Sequence, residues 1–161
     1  MTMGIREEMP LLARHEGVWD GTYTYYNAAG EKVDEHKSRL FCRLPNDGPH
    51  PYHQTNHYTW ADGRTDIRDF PAEYRDGRIW WNNELIVGWA AEVPLDQYNR
   101  TIMLYWQRTG DETLYLYEMI QLADDGQTRC RTWHWIRNGE LETRTAIQER
   151  LVTRDWRSLD G

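Results

Sequence analysis

Cysteine is scarce in this chain: only two occur in 161 residues, Cys42 and Cys130. That excludes a disulfide-stapled scaffold, and without any Cys-x-x-Cys spacing a thiolate metal site is not expected either. No particular histidine or acid is tied to either thiol, so neither reads as a nucleophile. Long apolar runs are also missing; none approaches the roughly 18 residues that a membrane-spanning helix needs. Lys and Arg are scattered rather than blocked, and the formal net charge is −7. A phosphate backbone would be repelled by such a surface, so nucleic acid is not an expected partner. Glu7 and Glu8 stand where a secretory leader would place its apolar stretch. The expectation is a cytoplasmic protein with reduced thiols and no membrane partner. Internal repeats and low-complexity segments are absent.

What is abundant is aromatic: nine tryptophans and ten tyrosines, most of them inside short alternating runs of β type. A chain of this length can bury a core with only some of these rings. The surplus points to an aromatic-lined cavity. From Glu7 to Glu16 the spacing of Met9, Leu11, Leu12 and His15 predicts one short helix, with Pro10 in its first turn. Beyond Gly17 the pattern turns to strands. These are expected over 19–26, 32–43, 52–60, 64–70, 78–82, 84–93, 100–107, 112–122, 127–137 and 140–152. Turn dipeptides separate them, Asn138-Gly139 being the strongest hairpin signal, and a Pro-rich loop covers 44–51. Ten short strands at hairpin spacing predict an all-β fold, an up-and-down antiparallel β-barrel in one domain over 1–161. Residues 1–16 form its helical lead. The tail 154–161 is expected to fray unless Trp156 docks. A solid sandwich is the competing architecture.

Gly17-Val18-Trp19 resembles the Gly-x-Trp signature that opens the first strand of lipocalins and other calycins, again after a short helical lead. The stretch from Gly17 to Tyr26, with Gly30, is similar to the opening of bacterial lipocalin-like barrels in the style of phycobilin lyases and nitrobindin-like proteins. Arg131-Thr132-Trp133-His134-Trp135, ending in the Asn138-Gly139 hairpin and Glu149-Arg150, is a second similar stretch. The resemblance implies a barrel that binds a small molecule, with fatty-acid-binding-protein-like topology. It also implies that Trp19 plugs the base against a late-strand arginine, for which Arg144 and Arg150 are the candidates. The Pro-Thr-Ile that follows the first strand in nitrobindin-like heme binders is missing. A lipocalin disulfide framework is missing too, which places the likeness with the intracellular branch.

Alternation sorts the faces. An inward Trp19 carries Gly21, Tyr23 and Tyr25 with it. In the last strand Thr143, Thr145 and Ile147 are expected inside, opposite Glu142, Arg144, Gln148 and Arg150. In 127–137 the arginines suggest an outward face of Arg129, Arg131, Trp133 and Trp135, which leaves His134 inside. Glu118 is the only charge on the face of Leu114, Leu116 and Ile120, and an acid there must be paired or shifted in pKa. His134 and Glu118, on neighbouring strands, are therefore the candidate acid–base pair.

Tyr23, Tyr25, Asn56, Tyr58, Trp81, Trp89, Tyr105 and Tyr117 are the candidate ligand contacts, with Trp81 and Trp89 stacking on a flat molecule. His53 and His57 share a strand face but lie roughly 13 Å apart by rise per residue, too far to share a metal. With His50 they are expected at the rim or cavity wall. Asp124-Asp125-Gly126 lacks the remaining ligands of a calcium loop and reads as a turn. The sequence thus predicts binding of one small hydrophobic or aromatic molecule, without cofactor or metal. The alternative is a cofactor-independent isomerase, cyclase or lyase in the same cavity. Homodimerisation is left open.

Overall fold

The computed structural model describes residues 4–160. Ten antiparallel strands follow one another: β1 (Gly17–Asn27), β2 (Lys32–Arg43), β3 (Tyr52–Thr59), β4 (Thr65–Arg75), β5 (Arg78–Asn82), β6 (Ile86–Glu92), β7 (Thr101–Arg108), β8 (Asp111–Leu122), β9 (Thr128–Arg137) and β10 (Glu140–Thr153). Each pairs with its neighbours in sequence, and β1 pairs with β10 to close the barrel. Closure gives every strand a partner on both sides. The tight hairpins form where two successive residues accept positive φ, as at Asn138-Gly139 (φ 51° and 81°). That geometry matches the right-handed twist of the flanking strands.

Two elements differ from the sequence expectation. The single helix is two: α1 (Ile5–Glu8) and α2 (Pro10–Arg14), broken at Met9 (φ −126°, ψ 64°). Proline disfavours helical geometry in the residue before it but suits the first position of a new helix. Residues 1–3 of the expected lead lie outside the described residues. The second difference is β4, which runs past Phe70 through Pro71 to Arg75. A proline in a fully paired strand would cost a ladder bond, but β4 pairs with β5 only over Glu73–Arg75. Pro71 therefore has one unpaired flank.

Helix α2 closes one end of the barrel. Its Leu11 and Leu12 are buried, and their backbone N–H groups donate to Glu92 Oε2 at 3.1 and 3.2 Å. Beneath them Trp19 is fully buried and donates its indole N–H to the His15 carbonyl at 2.9 Å. The tail docks rather than frays. Trp156 is buried in a short 3-10 turn, its indole N–H donates to Glu16 Oε2, and Asp160 pairs with Arg43 at 2.9 Å. No helix among the described residues is long and apolar enough to cross a membrane.

Candidate ligand-binding cavity

A hollow extends through the barrel from α2 toward the opposite end. The lining begins with Leu12, His15 and Tyr52 at the base and reaches Arg68, Leu85, Arg108 and Trp135 at the mouth. Mouth included, it encloses about 900 Å³, of which about 90 Å³ admits the centre of a water molecule. Its apolar wall is an inner cross-strand row. Trp81 stands opposite Gly88, Gly88 opposite Trp106, Trp106 opposite Leu116, and Leu116 opposite Trp135. Gly88 is required there. A Cβ on it would lie 2.1 Å from the Tyr105 carbonyl oxygen and 2.5 Å from Trp106. The indoles of Trp106 and Trp135 meet edge to face at 5.2 Å, and Trp133 and Trp135 lie 5.7 Å apart.

The polar wall has two parts. Along β3 an inner ladder donates in one direction, from Tyr52 Oη to Gln54 Oε1, from Gln54 Nε2 to Asn56 Oδ1, and from Asn56 Nδ2 to Tyr58 Oη, each at 2.8 Å. Inner residues of a strand are two apart, so this spacing lets each side chain hand a hydrogen bond to the next. Across the barrel, β9 sends two arginines inward between acids from its two neighbours. Arg129 Nε donates to Glu149 Oε1 at 2.8 Å and Arg131 Nε to Glu118 Oε1 at 2.8 Å. Arg131 also donates to Tyr23 Oη at 2.9 Å and reaches Glu149 at 3.5 Å. All four ionic side chains are buried. Burial alone would raise the pKa of Glu149, but Arg129 and Arg131 outweigh it and hold the carboxyl below its ordinary value.

Arg129 Nη1 lies 3.0 Å from His15 Nδ1. A guanidinium only donates, so Nδ1 accepts and the imidazole proton sits on Nε2. Burial first, then the nearby arginines, push the His15 pKa well below its ordinary value and keep the ring neutral. Burial likewise raises the phenol pKa values of Tyr23 and Tyr58, which stay protonated.

Several sequence expectations hold as placements. Tyr23 and Tyr25 point inward with Trp19, and Thr145 and Ile147 are buried as expected. Asn56, Tyr58, Trp81 and Glu118 line the cavity. Tyr23 and Tyr25 do not. The first is packed behind Arg131, and the second meets His36 Nε2 at 2.9 Å near the mouth.

Others are corrected, and most share one cause. With Trp81 inside, Trp80 is outside. Trp80 pairs directly with Trp89, Trp89 with Tyr105, Tyr105 with Tyr117, and Tyr117 with His134. Trp89, Tyr105, Tyr117 and His134 therefore form one row on the outer wall. Arg78 covers the Trp89 ring at 4.2 Å, the Tyr105 and Tyr117 rings lie 5.8 Å apart, and His134 is exposed. The His134–Glu118 pair does not exist; Arg131 is the partner of Glu118. His53 and His57 are also on the outer face of β3, where His53 Nε2 meets Asp69 Oδ1 at 2.6 Å. No group of three candidate metal ligands occurs among the described residues. The arginine that covers Trp19 is Arg129, 4.3 Å from the ring, and not Arg144 or Arg150, both of which are exposed.

Sequence reasoning missed Arg129, Arg131, Glu149 and His15. A signal was present. Extending the inward set Thr143, Thr145, Ile147 by one step places Glu149 inside, and Glu118 is inside on the other flank of β9. Two inward acids on either side of one strand call for inward cations between them.

No protein-family profile and no curated protein sequence matches the chain. Solved structures do. A DUF3598-family protein of unknown function from Nostoc punctiforme matches with TM-score 0.65 and 14% identity, over 88% of this chain and 49% of that one. This chain thus spans about half the length of the Nostoc protein. The S-type phycobiliprotein lyase CPES from Guillardia theta matches with TM-score 0.69 and 15% identity over 94% of both chains. Rv2717c from M. tuberculosis matches with TM-score 0.60 and 13% identity over 91% of this chain and 98% of that one. At these identities the similarity is one of fold: a closed antiparallel barrel.

Proposed function

We propose that the barrel binds one small hydrophobic or aromatic molecule in its interior. The observation that carries this reading is the hollow itself, an apolar space walled by Trp81, Trp106, Trp133 and Trp135. Apolar clefts with a few placed polar groups are the usual form of ligand sites. The narrow clearance within that envelope favours a flat body that slides between indole faces. A phycobiliprotein lyase among the proteins of similar fold supports a conjugated, pigment-like molecule as one member of this class. The enzyme alternative has little to work with. The carboxylates of Glu118 and Glu149 are both engaged by arginines, and His134 is on the outside. Two unbridged cysteines fit a reducing compartment, and we place the protein in the cytoplasm.

The test is binding of the neutral fluorophore N-phenyl-1-naphthylamine to the wild type and to Ala90→Phe, which fills the cavity from β6. Emission should rise on mixing with the wild type and stay flat with the filled variant, provided both give the same far-ultraviolet circular dichroism. An equal response from the two proteins, or none from either, overturns the reading.

A further inference from the structure

The cavity wall is unbalanced in one direction. Its charged side chains are Arg68, Arg108, Glu118, Arg129 and Arg131. Arg68 is paired with Asp66, and the other two arginines share Glu118 and Glu149. Arg108 alone has no ion pair or hydrogen bond among the described residues. It stands one inward step beyond Trp106 on β7, at the mouth, half-buried in a protein whose net charge is −7. The unmet hydrogen-bonding capacity has the same sense. The indole N–H groups of Trp133 and Trp135 and the Nε2–H of His15 line the cavity, are buried and have no partner among the described residues. On the acceptor side, Gln54 Oε1, Asn56 Oδ1 and the Glu118 carboxylate are all occupied. A buried donor left without an acceptor costs about 1–3 kcal/mol. What the wall lacks is an acceptor with negative charge.

Resting on the reading of the cavity as a binding site, we infer that its ligand is a flat aromatic or conjugated carboxylic acid. Its carboxylate sits at the mouth, on the Arg108 guanidinium and the Trp135 indole N–H, with the apolar body running inward along Trp81 and Trp106. A guanidinium fork matches a planar carboxylate with two parallel hydrogen bonds. The arginines deeper in the barrel do not serve this role, because their charge is already cancelled.

Isothermal titration with the matched pair 2-naphthoate and 2-naphthamide separates this inference from the reading beneath it. The acid should bind the wild type about tenfold more tightly than the amide, as expected for a charge-assisted hydrogen bond. Arg108→Gln should abolish that preference, with acid affinity falling to that of the amide. Arg108→Lys should restore part of it, since it keeps the charge without the fork. Equal affinities for acid and amide in the wild type, or a preference that survives Arg108→Gln, overturn the anionic subsite while the cavity reading stands. Failure of the wild type to bind either compound overturns both.

Discussion

The two ends of the barrel interior are built on different principles. At the base, Trp19 is sandwiched between α2 and the Arg129 guanidinium, and Arg129 spends its donors on Glu149, His15 and Cys42. Arg131 spends its own on Glu118, Tyr23 and Glu149. His15 Nε2 is the exception in an otherwise closed account. At the mouth the aromatic rings are as large, but the Trp135 indole N–H and the Arg108 side chain have no partner among the described residues, nor has the Trp133 indole N–H between the two ends. Satisfied polar groups rigidify a core, while unsatisfied ones persist where something else completes them. The difference assigns stability to the base and recognition to the mouth.

The sharpest way to break that comparison is at Glu149. Glu149→Gln removes the charge that Arg129 and Arg131 share, leaving an excess buried cation. It should cost about 3–5 kcal/mol, read as a lower urea midpoint by tryptophan fluorescence; a midpoint close to wild type would mean that the base network is not what holds the fold.

A second, smaller effect concerns pH. The folded-state pKa of His15 lies well below that of the unfolded chain, so the unfolded state takes up a proton that the folded one refuses. Stability from this group is full above about pH 6.5 and falls as pH drops below it. In His15→Gln, whose amide oxygen can still accept from Arg129, the decline between about pH 6.5 and 5 should flatten. His36, nearer the mouth, is lowered less, again by burial first. His36→Gln should therefore flatten the profile less than His15→Gln, and the reverse order would contradict the assignment of base and mouth.

The smallest effect belongs to the mouth. Trp135→Phe removes an unpartnered N–H together with about a third of the ring that packs on Trp106 and Trp133. It should cost about 1–2 kcal/mol, from lost packing alone, read as the urea midpoint. A loss as large as that of Glu149→Gln would remove the contrast between base and mouth.

The strands, their turns and their number were legible because period-two alternation and Asn-Gly or Asp-Gly dipeptides are local signals. The inward phase of β1 followed from Trp19, and that of β10 from its run of Thr143, Thr145 and Ile147. The site was legible only in part. Asn56, Tyr58, Trp81 and Glu118 do stand on the cavity wall, although the alternation within their strands left the inward face open. Trp89, Tyr105, Tyr117 and His134 were not, because the phase of each strand was inferred separately. One cross-strand row, anchored on Trp80, carries all four to the outer wall together. The arginines of β9 misled for a physical reason as well. An arginine is usually outside, and only the acids of β8 and β10 make an inward pair affordable.

By itself the sequence determined an all-β chain of ten short strands with a helical lead, since these depend on residues close together in the chain; the tryptophan at the base came only from the resemblance to calycins. The tertiary structure alone decided which residues face the hollow and which are left without partners there. Strand register couples faces across the whole wall, and no single strand carries that information. The pairing of Arg129 and Arg131 with Glu149 and Glu118, and the solitude of Arg108, are facts about three neighbouring strands and a mouth that exist only once the ring has closed.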